Sequence, residues 1–140
     1  MSDRYFLDTN IFLYTFDKAA PEKASRARDL IRSGLPTGKA IISYQVVQEF
    51  FSVAFRRFQP PMTIVDAEYY LSVTLGPLLA VYPSQSLFGE AVRLTGKQGL
   101  SWYDSLIVAA AMEGDCGILY SEDFQHGRKF DGLVVRNPFL

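Results

Sequence analysis

The sequence predicts an α/β domain with a parallel sheet, and three features predict it. Five short apolar runs lack the alternation of a half-exposed strand. Longer stretches with helical spacing separate them. Acidic residues fall where the apolar runs stop. The runs are Tyr5-Phe6-Leu7, Ala40-Ile41-Ile42, Leu78-Leu79-Ala80-Val81, Gly117-Ile118-Leu119-Tyr120 and Leu133-Val134-Val135, each rich in branched or aromatic residues, as strands covered on both faces are. Asn10 to Phe16 follows the first strand as a short helix. Pro21 to Arg32 opens with a first-turn proline, places Ala24, Ala27, Leu30 and Ile31 on one face and stops at Gly34. Ser43 is placed to cap a helix that reaches Phe58 and is halted by Pro60-Pro61. Thr63 with Asp66 forms a capping-box pattern ahead of a helix to Leu75, and Ser101 with Asp104 repeats it before Leu106 to Glu113. Strands alternating with helices imply right-handed crossovers, and nothing in the 140 residues marks a repeat or linker, so residues 1–140 read as one domain.

Composition excludes several classes. Hydrophobic residues make up 49% and charged residues 21%, which suits a packed core rather than a disordered chain. The lone Cys116 rules out a disulfide framework and a cysteine metal site. No apolar run approaches the roughly 18 residues of a membrane span, and Asp3, Arg4 and Asp8 leave no room for a signal peptide, so a cytoplasmic location is expected. A net charge of −1 gives no bulk attraction to nucleic acid.

Four acids carry the chemistry. Asp8 ends the first strand, where open parallel sheets bind ligands. Glu49 sits in Val46-Val47-Gln48-Glu49-Phe50-Phe51, a helix apolar on nearly every side, so its carboxylate needs a partner or a polar cleft. Asp104 is three residues past the Ser101 cap and Asp123 follows the fourth strand. Each has an ordinary local role as a cap or turn residue. In a sheet ordered 3-2-1-4-5, however, Asp8 and Asp123 emerge side by side and the helices bearing Glu49 and Asp104 begin near the same edge. Carboxylates gathered there cannot all stay ionised without counter-charge. An all-oxygen donor set suits Mg²⁺ or Mn²⁺, one or two ions, rather than zinc. His126 reads as a surface loop residue.

Leu7-Asp8-Thr9-Asn10, Glu49 in Val47-Gln48-Glu49-Phe50, Tyr103-Asp104-Ser105-Leu106-Ile107-Val108-Ala109-Ala110-Ala111 and Tyr120-Ser121-Glu122-Asp123-Phe124 together resemble the PIN-domain family, closest to its VapC-like toxins. The likeness spans nearly the whole chain in order. It implies a Rossmann-like three-layer sandwich with strand order 3-2-1-4-5 and a metal-dependent endoribonuclease that hydrolyses RNA with activated water. It carries the family's acidic quartet onto Asp8, Glu49, Asp104 and Asp123, with Thr9, Asn10 and Ser121 supporting the metal ligands. It also implies a homodimer and a cognate antitoxin. RNA would be held by Arg128, Lys129, Arg56 and Arg57, with Arg26, Arg28 and Arg32 as further cations and Tyr44, Trp102 or Phe124 as stacking platforms. Phe12, Phe16, Phe50, Phe51, Phe55 and Phe58 are divided between core and a partner-binding stripe. Two other readings fit less of the sequence. A phosphatase or phosphotransferase would use Asp8 as a covalent nucleophile, yet Asn10 stands where such enzymes place a second acid. A non-catalytic RNA-binding scaffold would have no use for four acids.

Overall fold

The computed structural model describes residues 2–140. Its strands are β1 (Tyr5–Leu7), β2 (Ala40–Ser43), β3 (Leu79–Val81), β4 (Ile118–Tyr120), β5 (Lys129–Phe130) and β6 (Leu133–Arg136), and its helices are α1 (Thr9–Tyr14), α2 (Pro21–Gly34), α3 (Tyr44–Ala54), α4 (Ile64–Tyr70), α5 (Gly76–Leu78), α6 (Gln85–Gln98) and α7 (Trp102–Glu113). The strands form one sheet in the order β3-β2-β1-β4-β6-β5. All neighbouring pairs are parallel except the β5–β6 edge. The five expected strands therefore keep the 3-2-1-4-5 order, β6 taking the fifth place. The extra strand comes from a tight hairpin, in which Phe130 pairs with Leu133 across Asp131-Gly132. Asp131 accepts a left-handed φ of 52°, a conformation that Asp tolerates better than most residues.

Successive strand residues point to opposite faces, and β2 shows both. Ala40 meets α2 at Gly34, where an added Cβ would lie 2.2 Å from the Ala40 Cβ and 2.6 Å from the Tyr5 hydroxyl. Ile41 meets Gly114, just beyond α7. Helices thus cover both faces of the sheet. Gly34 is needed for this close approach rather than as a helix stop; α2 runs through it to Leu35, its C-cap. The strand residues Phe6, Leu7, Ile42 and Leu119 are completely buried. In α7 every residue from Ser105 to Ala111 is buried, which is why that segment shows no polar face.

Other expectations need correction. α3 ends at Ala54 rather than Phe58, because the chain turns back and the Met62 amide donates to the Ala54 carbonyl at 3.0 Å. Ser43 occupies the cap position of α3 with extended backbone, but its buried hydroxyl has no partner and caps nothing. Thr63 and Ser101 do cap, accepting from the amides of Asp66 and Asp104 at 3.1 and 3.2 Å. Beyond α4 the helix widens into one π-helical stretch, Leu71–Leu75, and continues as α5. α6 is absent from the sequence reading, although Ser84 caps it and Leu87, Ala91 and Leu94 form its buried face.

Candidate active site

The site forms because β1 and β4 are neighbours whose chains leave the sheet together. Leu7 pairs with Tyr120, and the Asp8 amide donates to the Tyr120 carbonyl at 3.1 Å. Asp8 and Ser121 are thereby side by side at the carboxyl edge of the sheet, the location expected for a ligand in an open α/β fold.

Asp8 is 4% exposed and both its oxygens are engaged. Oδ1 accepts from the Thr9 amide at 2.7 Å, and Oδ2 accepts from the Ser121 hydroxyl at 2.7 Å. The same Ser121 oxygen accepts from the Asp123 amide at 3.0 Å, so one serine fixes two acids. Asn10 donates through Nδ2 to Asp123 Oδ2 at 3.1 Å. From the other side, Thr9 Oγ1 donates to Glu49 Oε1 at 2.6 Å. Gln45, one helical turn before Glu49, donates through Nε2 to Glu49 Oε2 at 3.3 Å and to the Tyr103 carbonyl at 3.2 Å. A single network therefore joins Asp8, Glu49 and Asp123. An open cleft of about 660 Å³ runs past them, lined among others by Thr9, Asn10, Gln45, Glu49, Tyr103 and Asp123.

Asp104 is not part of this network. It stands half-buried in the first turn of α7, one residue beyond Tyr103, and its backbone amide is held by Ser101. Among the described residues no three Asp, Glu, His or Cys side chains are gathered as a ready-made metal cage. The acids are spaced by hydroxyl and amide donors instead of facing one another, as mutual repulsion requires.

The electrostatics suit a cation nonetheless. Burial pushes the Asp8 carboxyl up to about 7, the neighbouring charges of Asp123 and Glu49 adding to it against the bonds from Ser121 and Thr9. The ion pairs among the described residues are Lys23–Glu122, Lys39–Asp3 and Arg93–Glu90, and none neutralises Asp8, Glu49, Asp104 or Asp123. Asn10 Oδ1 is buried without a partner beside them. Uncompensated carboxylates and amide oxygens form a donor set for a hard divalent ion. Glu122 is held apart from the cluster, 2.8 Å from Lys23 and hydrogen-bonded by Tyr14 at 2.5 Å.

The remaining residues singled out in the sequence divide. Arg128 is occupied: it donates to the Gln98 carbonyl at 3.0 Å and lies over the Phe130 ring. Lys129 sits on the edge strand opposite Val134, at the level of Ile118 and thus of the amino end of β4. Arg56 and Arg57 are exposed just beyond α3, and Arg57 lines a second groove of about 750 Å³ that meets the cleft at Leu13 and Val53. Arg26 holds the C-terminal carbonyls of Pro138 and Leu140, and Arg28 reaches the Thr15 carbonyl. Phe124 is buried against Phe130 and so cannot stack on a base, whereas Trp102 is 39% exposed. Phe12 and Phe50 are core, and Phe16 and Phe55 are partly exposed. His126 is exposed and accepts from the Asn137 amide through Nδ1, and burial pushes the Cys116 thiol up to about 12, which leaves it inert as a ligand. Sequence reasoning missed Gln45. Its signal was visible, since a Gln four residues before a Glu on a helix is placed to bond to it.

Similar folds occur in solved structures. A toxin–antitoxin complex from Klebsiella pneumoniae contains a chain 19% identical, with TM-score 0.70 over 96% of this chain and 97% of that one. VapBC2 from Rickettsia felis, bound to a DNA fragment from its promoter, contains one 18% identical, with TM-score 0.63 over 95% and 97%. Mycobacterium tuberculosis VapC20, a toxin that cleaves the sarcin–ricin loop, is 18% identical, with TM-score 0.64 over 85% and 89%. At these identities the likeness is one of fold. No curated protein sequence matches significantly. The PIN domain family model matches residues 5–129, most of the chain. With that match and the strand order above, the chain belongs to the PIN domain family.

Proposed function

We propose that this PIN domain is an endoribonuclease that hydrolyses RNA phosphodiester bonds with the help of one or two divalent cations, Mg²⁺ or Mn²⁺, and that it is the toxin of a toxin–antitoxin pair. The observation that carries this reading is the buried Asp8, tied to Glu49 and Asp123 through Thr9, Ser121 and Asn10, with no cation among the described residues paired to any of them. The toxin reading draws on the similar structures, which are described as a toxin–antitoxin complex, a VapBC complex and a ribosomal-loop-cleaving toxin.

Asp8, Asp104 and Asp123 would hold the cation, with Glu49 beside them. A divalent ion bound there lowers the pKa of water at the scissile phosphate and offsets charge developing on phosphorus. The protein's own part is preorganisation. Ser121 and the Thr9 amide fix the rotamer of Asp8, Asn10 fixes Asp123, and Thr9 with Gln45 clamps both oxygens of Glu49. Glu49 keeps further lone pairs for orienting a water and taking its proton. Asp8 is buried and doubly hydrogen-bonded, which suits a ligand-holding acid better than a covalent nucleophile. The groove bearing Lys18 and Arg57 continues from the cleft and would take the RNA backbone on either side of the cut.

Attack by water needs no 2′-hydroxyl. Cleavage of a structured RNA should therefore persist when the cut site carries a 2′-deoxy sugar, leave a 5′-phosphate, stop with EDTA, and fall at least a hundredfold in Asp104→Asn. Metal-independent cleavage, or wild-type rates from folded Asp104→Asn, would refute this function. A short reading frame beside the gene whose product co-purifies with the chain would identify the antitoxin.

A further inference from the structure

Gln45 is a buried polar side chain that the acids alone do not account for. It is 4% exposed on an otherwise largely apolar helix, and its Oε1 is sealed from water without a partner. A methionine of the same length would fill the space without stranding an acceptor. What methionine lacks is the amide nitrogen, whose two hydrogens go to two different elements: Glu49 Oε2 on α3 and the Tyr103 carbonyl on α7. Among the described residues this is the side-chain hydrogen bond that joins α3 to α7, and Asp104 is the next residue along α7 from Tyr103.

The rest of the network has its own ties. Ser121 links the Asp123 loop to Asp8, and Thr9 links Asp8 to Glu49. Without Gln45 that chain of bonds ends at Glu49: the other side-chain hydrogen bond from the first turns of α7 to another element, between Thr95 Oγ1 and Ser105 Oγ at 2.8 Å, runs to α6, which bears none of the four acids, and towards α3 only apolar packing remains. Apolar contact has no preferred direction, so it permits sliding and rotation that a hydrogen bond does not. We propose that Gln45 is a positioning residue: by clamping Glu49 and the first turn of α7 together it sets Asp104 against the other three acids, and so sets the affinity of the cleft for a divalent cation. The proposal rests on the cleft being a divalent-cation site.

The test is Gln45→Met, with Gln45→Leu as a second apolar variant if the first folds poorly. Mn²⁺ binding is measured by calorimetry and by the metal-induced rise in melting temperature, both independent of catalysis. Residues that orient metal ligands typically contribute about 10–100-fold in affinity. The Mn²⁺ Kd should rise by that factor in the variant, while the metal-free melting temperature stays level or increases. In RNA cleavage the half-saturating metal concentration should rise by a similar factor and kcat at saturating metal should fall less. In an Asp104→Asn background the same substitution should change the Mn²⁺ Kd little, because the acid it positions is gone. A folded variant with an unchanged Kd would overturn the proposal, as would an equal loss in the Asp104→Asn background. A wild-type protein that binds no Mn²⁺ would remove the cation site itself.

Discussion

Replacing Asp8 by Asn should make the metal-free protein more stable while abolishing its activity. The folded-state carboxyl is pushed up to about 7 from an ordinary 3.8, chiefly by burial. A group with a raised folded pKa keeps its proton longer in the native state than in the unfolded chain. Stability is therefore unaffected below about pH 4, falls as the unfolded chain ionises and the folded one does not, and levels off above pH 7. Roughly three units at about 1.4 kcal/mol each gives about 4 kcal/mol lost across that window. Asn carries no charge to desolvate, so it escapes this loss. It weakens the bond from Ser121, which returns about 1–2 kcal/mol. The net gain at pH 8 is about 2–3 kcal/mol, or roughly 6–10 °C for a chain of this length.

The assay is thermal or urea unfolding of both proteins in EDTA from pH 4 to pH 8, repeated with excess Mg²⁺ or Mn²⁺. The Asn variant should be about 1–2 kcal/mol less stable at pH 4, the two curves should cross near pH 5, and they should then diverge to favour Asn as pH rises. Added metal should lift the wild type alone, since a ligand stabilises only the state that binds it. An Asn variant less stable than wild type at every pH, with parallel pH slopes, would mean that Asp8 ionises in the fold at little cost. The electrostatic case for a bound cation would then fail.

Two further substitutions test the scaffold around the acids. Ser121→Ala removes the donor to Asp8 and the acceptor of the Asp123 amide together; it should cost about 1–3 kcal/mol in urea unfolding and weaken Mn²⁺ binding about tenfold by calorimetry. Gly34→Ala places a methyl within 2.2 Å of the Ala40 Cβ; prying α2 from the sheet should cost about 1–3 kcal/mol in stability, read as a lower melting temperature, with little change in metal affinity.

Asp8 and Glu49 were legible in the sequence because each breaks a local pattern, whereas Asp104 and Asp123 stand in ordinary cap and turn positions and were found only through the ordered set of motifs. Asp8 stops an apolar strand, and Glu49 interrupts a helix whose buried positions Val46, Phe50 and Ala54 leave no reason for a charge. Position within the fold was less legible. Ser43 has the sequence context of a cap, but it is also the last residue of a central strand, and burial there deprives its hydroxyl of any partner. α6 escaped notice because Phe88 and Val92 are apolar on its exposed side and Gly89 and Gly96 interrupt it, so its 3.6-residue period is blurred. The Asp131-Gly132 hairpin is a strong short-range signal masked by its brevity, with only two residues in β5. Arg128 reads as a free cation until the Gln98 carbonyl and the Phe130 ring are seen to occupy it.

The misfits share one location. Among the described residues, the buried side-chain atoms without partners are Asn10 Oδ1, Ser43 Oγ and Gln45 Oε1. All lie at or within three residues of the carboxyl end of β1 or β2, in the same edge that buries Asp8. Stranded acceptors and a desolvated carboxylate each destabilise the fold. A sequence optimised for stability alone would replace them with apolar residues, as it has done along α7 from Leu106 to Ala111. The unfavourable terms are instead concentrated where a divalent cation bound to the acids, as proposed, would relieve the largest of them. The conflict between local stability and residue choice at this edge is therefore the pattern that the proposed cation site predicts for the metal-free protein.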